Sequence, residues 1–205
     1  MNVFTAPRIT LALAVFSSLS LVACVAPTES DEAVGEAEQA LSESECPDVM
    51  PAGLTPAADQ NLVKEFDGVG VQIYSCNLTG TTYAWTFIAP EADLFRHDGN
   101  HRVGSHFAGP TWEAKDGSYV VGVKVASANS PDGAIPWLLL TAGSHGGPDG
   151  RFTDFTTIQR LDTVGGVAPA TGCDAAHVGA VAEVPYSAHY FFYETKTHGH
   201  VHQCG

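Results

Sequence analysis

A short stretch in the middle of the chain, HFAGPTWEAKDGS at 106–118, holds many of the side-chain types that binding sites and enzymes use. One more histidine follows in a glycine-rich loop, SHGGPDG, and loops on a β scaffold often carry function. A tryptophan face can stack on a sugar, while imidazole and carboxylate groups form hydrogen bonds to it. These side chains predict a candidate pocket for a carbohydrate or another small ligand. Its residues are His106, Trp112, Glu113, Asp116 and His145.

The same residues support two catalytic alternatives. Glu113 and Asp116 form a possible carboxylate pair for glycoside cleavage. His106 and His145, with one carboxylate, have the ligand types of a zinc site, so a secreted acid/base or metal-assisted hydrolase is the alternative function. No G-x-S-x-G motif is present to indicate a serine nucleophile.

A structural interpretation of this stretch is favoured over each of these sites. Gly109-Pro110 and Asp116-Gly117 are ordinary turn pairs. Trp112 would then be a core residue, and His106 would be hydrogen-bonded to the backbone. We therefore expect a binding or structural module rather than an enzyme.

The C-terminus has an H-x-H-x-H pattern formed by His198, His200 and His202. In an extended chain these imidazoles share a face, and they could hold Zn²⁺, Cu²⁺ or Ni²⁺. The favoured interpretation is an exposed tail with adventitious affinity. We expect no resident cofactor, with a divalent transition metal as the lesser alternative.

Export is indicated at the other end of the chain. Residues 1–23 have a positive charge, an apolar core and a small-residue cleavage site, as in a secretory signal peptide. The ending Leu-Val-Ala before Cys24 is typical of a bacterial lipobox, in which the cysteine becomes acylated. An ordinary signal peptide with a chance cysteine is the alternative. We expect a protein anchored through Cys24 to the cell envelope, at the outer membrane or the cell surface.

Residues 24–45 contain seven acidic and no basic side chains among small polar residues. Such a segment buries too little apolar surface to fold, which predicts a disordered tether. From Val49 onward the chain has 15 acidic and 8 basic side chains, a net charge of about −7. Nucleic acid is therefore not an expected partner, because phosphate binding needs clustered Lys and Arg.

The remaining residues, 46–205, have the length of one domain. Short segments of alternating or β-branched residues recur about every ten residues, with turn residues between them. This spacing predicts a single all-β domain, an antiparallel sandwich or barrel with long Gly/Pro-rich loops. At most one short helix is expected, a single turn capped by Asp174. The predicted strands are 69–76 (with Val69, Val71, Ile73 and Ser75 on one face), 83–89, 92–96, 102–107, 119–126, 135–142, 152–161 and 184–195.

Apart from Cys24, the chain has four cysteines, Cys46, Cys76, Cys173 and Cys204. An even number in an exported protein favours two disulfides, and three pairings are possible. No two of these cysteines lie close enough in sequence to indicate a zinc site.

Five runs stand out together in order and spacing: GVQIYSC (70–76), HFAGPTWEAKDGS (106–118), IPWLLL (135–140), IQRLDTVGGVAPATGCDAA (158–176) and VPYSAHYFFY (184–193). Together they resemble the DUF3455 family, a domain of unknown function in secreted bacterial and fungal proteins. Fungal members often carry the name malate dehydrogenase, but the nicotinamide-binding G-x-G-x-x-G motif is incomplete here, since Ile73 stands where the third glycine belongs. The resemblance also implies a disulfide between Cys76 and Cys173, which leaves Cys46 to pair with Cys204.

Overall fold

The structure, a computed structural model, describes residues 46–97, 99 and 101–204. The predicted signal peptide (1–23), the predicted lipidation site Cys24 and the predicted tether (24–45) lie outside the described residues. Within the described part of the chain, no helix is long and apolar enough to cross a membrane.

Eight antiparallel strands form one sheet that closes on itself, which confirms the all-β prediction and selects the barrel over the sandwich. Each strand pairs with its neighbours in sequence, and β1 pairs with β8 to close the ring. The described residues contain no helix; at the predicted helical turn, the Asp174 carboxylate accepts a hydrogen bond from the Ala176 amide within a turn. The strands are β1 Gln60–Thr79, β2 Thr82–Arg96, β3 Arg102–Phe107, β4 Thr111–Ala114, β5 Tyr119–Ala128, β6 Trp137–Gly146, β7 Thr157–Gly165 and β8 Val181–Thr195.

Two differences from the predicted strands have local causes. Strand β2 continues through Pro90, where the sequence predicts a break. Strand β3 pairs with β2 only over residues 92–95, so β2 has no neighbour on that side at Pro90, and proline is tolerated there. Strand β4 fills the four residues Thr111–Ala114, which lie between the two predicted turn pairs.

The barrel interior is aromatic. Phe66, Phe152 and Phe192 pack with ring centroids 5.3–5.7 Å apart, and Trp112 lies edge-on to Phe192 at 5.9 Å. Gly122 makes room for this packing, because a Cβ there would lie 2.8 Å from the Trp112 ring. The interior also contains Leu94, Val103, Val120, Leu140, Phe155, Ile158, Tyr186, Ala188 and Tyr190.

A second apolar cluster lies on the outer face of β6–β8, where segments from the two ends of the domain, 46–54 and 202–204, cover the sheet. It contains Leu54, Trp137, Leu139, Leu161, Phe191, Tyr193 and Cys204. Gln159 is fully buried beneath these segments, and its amide nitrogen donates to the carbonyl oxygens of Leu54 (2.7 Å) and Cys204 (3.3 Å). Its side-chain oxygen accepts a hydrogen bond from the Tyr193 hydroxyl.

Both disulfides have the pairing that the family resemblance implies. Cys46–Cys204 joins the two ends of the domain. Cys76–Cys173 joins β1 to the loop before β8. The bridges span 158 and 97 residues, and in the chain-entropy model loops of this size stabilise the fold by about 5 kcal/mol each.

Candidate functional site

One end of the barrel is not filled by the core and holds a cavity of about 440 Å³. This volume lies in the range of small-molecule sites, roughly 300–1,000 Å³. Six strands and the β3–β4 turn contribute to its wall, which makes it the mouth of the barrel. The lining residues are Gln72, Tyr74, Phe87, Ile88, Pro90, His106, Gly109, Pro110, Lys124, Ile135, Pro136, Leu138, Leu140 and Arg160.

Strand β1 turns its polar positions toward this mouth. Gln72 and Tyr74 are buried, whereas Val69 on the other face is 53% exposed. The structure therefore buries the opposite face of this strand from the valine-rich one. The Tyr74 hydroxyl donates to the carbonyl oxygen of Gly166 at 2.7 Å, which fixes the ring against the wall of the barrel.

The rim of the cavity is apolar and exposed. Phe87 and Ile88 of β2 are 50% and 53% exposed, and the Phe87 ring packs edge-on against Tyr74 at 5.7 Å. Pro136 and Leu138 line the cavity from the β6 side. Exposed apolar side chains at the edge of a cavity can cover an apolar part of a ligand.

The charge of the cavity is opposite to that of the protein. Arg160 and Lys124 line it, and none of its lining residues is acidic. The Arg160 guanidinium donates through Nε (3.2 Å) and Nη2 (2.7 Å) to the carbonyl oxygen of Pro136, a neutral partner that leaves its charge uncompensated. The protein as a whole has a net charge of −14 and only nine Lys and Arg side chains. Two of those nine side chains line this cavity.

Gln72 contributes a buried amide donor whose hydrogen bonding is incomplete. The residue is 2% exposed, and Nε2 makes no hydrogen bond of good geometry among the described residues; its polar neighbour is the Tyr186 hydroxyl, whose pKa it lowers slightly against the larger effect of burial. An unpaired buried donor costs about 1–3 kcal/mol, and native proteins contain few of them. A ligand acceptor in the cavity would remove this cost.

His106 lies at the inner wall of the cavity as a neutral hydrogen-bonding group. Its ring stacks on Trp112 at 4.4 Å, and Nδ1 donates to the carbonyl oxygen of Thr111 at 2.9 Å, which leaves Nε2 as an acceptor. Complete burial lowers the pKa of His106 to about 3, against the opposing effect of the Thr111 carbonyl and with a smaller contribution from Arg160 in the same direction. A group with this pKa is too weak a base for acid/base catalysis near neutral pH.

Two buried tyrosines of β8 lie in the same part of the interior. The hydroxyl oxygens of Tyr186 and Tyr190 are 3.3 Å apart. Burial raises the pKa of both phenols above their ordinary value. Both phenols therefore remain neutral. The positive charge in this part of the interior comes from Arg160, whose charge acts on both phenols.

The residues that the sequence grouped into one pocket are not brought together. Of the five, only His106 lines the cavity. Trp112 is 1% exposed beneath His106, so it offers no stacking face to a sugar. Glu113 lies next to Trp112 in β4, on the opposite face of the strand.

The two remaining members of that set have structural roles. The Asp116 carboxylate accepts hydrogen bonds from the Ser118 hydroxyl (2.5 Å) and amide (2.9 Å) and from the Arg151 amide (3.0 Å). The first of these bonds is the largest cause that lowers the pKa of Asp116. His145 contacts the Phe155 carbonyl oxygen through Nε2 at 2.6 Å. Together these contacts hold the β4–β5 turn and the loop after β6.

The predicted metal arrangements are also not assembled. Among the residues that the structure describes, one group of three metal-binding side chains has its ligand atoms within 4.8 Å of one another. That group does not include His106, Glu113, Asp116 or His145. The histidine tail is not part of that group either. The tail instead follows the barrel: the His202 amide donates to the Asn61 side chain, and Lys196 donates to the His200 carbonyl oxygen.

Sequence reasoning missed Gln72, Lys124 and Arg160 as a group. The available signal was polarity at inward-facing positions, such as Arg160 two residues after Ile158 on the same face of β7. Such a signal identifies an unusual residue without identifying its neighbours, which lie on other strands.

Comparison with known proteins gives one family. The sequence profile described as "Protein of unknown function (DUF3455)" matches residues 56–194, nearly the whole barrel. Searches of curated proteins and of solved structures give no match. Because the match covers more than half of the chain and includes all eight strands except the last residue of β8, the protein belongs to the DUF3455 family.

Proposed function

We propose that this protein is a binding module that takes up a small ligand with an anionic group and an apolar body in the mouth of its barrel. The observation that carries the proposal is the uncompensated charge of the cavity, where Arg160 and Lys124 meet without a carboxylate. The unpaired Nε2 of Gln72 adds a donor for the same anionic group. The exposed rim at Phe87 and Ile88 suits the apolar part.

The arrangement favours a carboxylate or a similar planar anion. Guanidinium groups bind carboxylates through two parallel N–H donors, and such charge-assisted hydrogen bonds are about twice as strong as neutral ones. His106 contributes an acceptor and Tyr74 a polar edge, which orient a ligand without reacting with it. Binding is favoured over hydrolysis because the cavity combines no nucleophile with a base that is effective near neutral pH.

Calorimetric titration with decanoate, and with decanol as the neutral probe of equal chain length, tests this proposal. We expect decanoate to bind at least 10-fold more tightly than decanol. Arg160→Met should weaken decanoate binding by about 10- to 150-fold, the equivalent of 1.5–3 kcal/mol for a charged hydrogen bond. Lys124→Met should weaken it less, because an ammonium group binds as a point charge.

The control is Lys115→Met, which removes an exposed cation that does not line the cavity. It should leave decanoate binding unchanged. Equal affinity for the two probes, or equal loss in the Lys115 and Arg160 variants, would refute an anion site at the barrel mouth. Unfolding midpoints of each variant show whether a loss of binding reflects a loss of fold.

We further propose that the barrel is exported and anchored to the bacterial cell envelope through a lipid on Cys24. The lipobox-like ending before Cys24 and the two disulfides support this location, because disulfides persist in oxidising compartments. Cys24→Ala should move the protein from the membrane fraction to the soluble fraction of fractionated cells. Retention of the variant in the membrane fraction would contradict lipid anchoring.

A further inference from the structure

A second group of reactive side chains lies on the outer face of the barrel, away from the cavity. Asp67 of β1 and His189 of β8 are directly opposite each other across the strand pair that closes the barrel. Their sequence neighbours, such as Phe66 and Tyr190, belong to the interior, so these two side chains point outward. His97 follows the last residue of β2, the strand on the other side of β1.

The ligand atoms of these three residues have the spacing of a coordination shell. Asp67 Oδ1 lies 3.3 Å from His97 Nδ1 and 3.1 Å from His189 Nε2, and all three atoms lie within 4.8 Å of one another. Zn²⁺ binds imidazole nitrogen and carboxylate oxygen at about 2.0–2.2 Å, so ligand atoms at tetrahedral angles are roughly 3.3–3.5 Å apart. Two edges of the triangle therefore already have nearly the length that a tetrahedral site needs.

A fourth residue is placed to orient one of the ligands. Asp162 Oδ2 lies 3.8 Å from Nδ1 of His189, the ring nitrogen opposite the one that faces Asp67. Asp162 has a φ of +46°, a left-handed conformation that is uncommon outside glycine, and the β7–β8 pairing shifts register beside it. Carboxylates commonly hold the distal nitrogen of metal-binding histidines, and unusual backbone conformations concentrate at functional sites.

We propose that Asp67, His97 and His189 bind one divalent transition-metal ion, with Zn²⁺ the best match, and that Asp162 orients His189. Two imidazoles and one carboxylate suit Zn²⁺ and its first-row neighbours, whereas Ca²⁺ and Mg²⁺ prefer oxygen ligands alone. The three side chains are 21–41% exposed, so at least one coordination position faces solvent. Three protein ligands with an open position are the pattern of zinc sites that bind water or a further ligand.

This site is separate from the anion-binding cavity. Asp67 lies five residues before Gln72 along β1, roughly 17 Å at 3.3 Å per residue. Asp67 faces outward, while Gln72 faces the barrel interior. The metal site therefore stands or fails independently of the proposed ligand in the barrel mouth.

Calorimetric titration of metal-free protein with Zn²⁺ tests the site, and the histidine tail is the competing source of affinity. We expect the variant His198→Ala/His200→Ala/His202→Ala to keep one equivalent of tightly bound Zn²⁺. Adding His97→Ala and His189→Ala to that variant should weaken binding by roughly 100-fold or more. His101→Ala in the same background is the matched control, since His101 is an exposed histidine of the same hairpin that lies outside the group.

The proposal would be overturned if the tail variant no longer bound one equivalent of Zn²⁺ tightly. It would also be overturned if tight Zn²⁺ binding persisted after His97 and His189 were replaced. Co²⁺ substitution adds a readout that a purely structural role would not change. We expect the tail variant to give the intense visible absorption of four-coordinate Co²⁺, and Asp67→Asn to abolish it. Asp162→Asn, which tolerates a left-handed backbone, should weaken Zn²⁺ binding by about 10- to 100-fold. Unchanged affinity would overturn the orienting role of Asp162.

Discussion

The buried amide of Gln72 should make the protein less stable than it would be with an apolar side chain of similar size. The substitution Gln72→Met keeps the length of the side chain and removes the amide donor, which makes no hydrogen bond of good geometry among the described residues and only a weak contact with the Tyr186 hydroxyl. An unpaired buried donor costs about 1–3 kcal/mol, so we expect the free energy of unfolding to rise by that amount. For a domain of this size, each kcal/mol corresponds to about 2–4 °C in Tm.

The assay is urea unfolding followed by tryptophan fluorescence, because Trp112 and Trp137 are both buried in the folded state. Gln159→Met is the matched control. Gln159 is as deeply buried as Gln72, but its amide donates to two carbonyl oxygens and its oxygen accepts from Tyr193. The same substitution there should destabilise the protein by about 2 kcal/mol or more, since it leaves those groups unpaired. Opposite signs are therefore expected from two chemically identical substitutions.

Decanoate binding completes the prediction. If the Gln72 amide is kept for a ligand, Gln72→Met should gain stability without decanoate and lose affinity for it. Destabilisation of Gln72→Met by more than about 1 kcal/mol would refute the reasoning, because it would mean that the amide is satisfied in the unliganded protein. Increased stability with unchanged affinity would separate Gln72 from the ligand and leave the anion site to Arg160 and Lys124.

Two further measurements probe the rest of the barrel. Burial lowers the pKa of His106 to about 3 in the folded protein, against about 6.5 in the unfolded chain. Between about pH 3 and pH 6.5 the unfolded chain therefore binds a proton at His106 that the folded protein does not. Stability should therefore fall as the pH falls from 6.5 toward 3, by up to about 1.4 kcal/mol per pH unit, and His106→Gln should reduce this slope; equal slopes in urea unfolding would contradict a buried neutral His106. Replacing Cys46 and Cys204 together by Ala should lower the free energy of unfolding by about 2–5 kcal/mol, and an unchanged urea midpoint would show that the bridge contributes little.

The barrel has two apolar surfaces outside its core, and only one of them is covered by other parts of the described chain. On the β6–β8 face, Cys46–Cys204 and Gln159 hold the terminal segments against the sheet. At the mouth, Phe87 and Ile88 remain exposed. One apolar surface is thus covered by the protein's own chain, and the rim of the cavity stays exposed, as the proposed binding role requires.

Local patterns were enough for the fold class but not for every strand: β4 is absent from the predicted strands, and β1 begins at Gln60 rather than at Val69. Alternating residues and Gly/Pro/Asp turns depend on neighbours in sequence, and they correctly predicted an antiparallel all-β domain. Finer features depended on pairing between strands. The valine face of β1 lies outside because the opposite face, with Tyr74 and Gln72, lines the barrel, and Pro90 is accepted inside β2 because β3 does not reach it.

By itself, the sequence determined that the chain folds as a β domain of the DUF3455 family with two disulfides, because strand periodicity, family motifs and cysteine number are written in consecutive residues. The two candidate sites were decided by the tertiary structure alone. Arg160, Lys124 and Gln72 come from three different strands, and Asp67 meets His189 only because β1 pairs with β8 to close the barrel. Closure juxtaposes residues from the first and last strands of the barrel, and no local periodicity encodes which of them will meet.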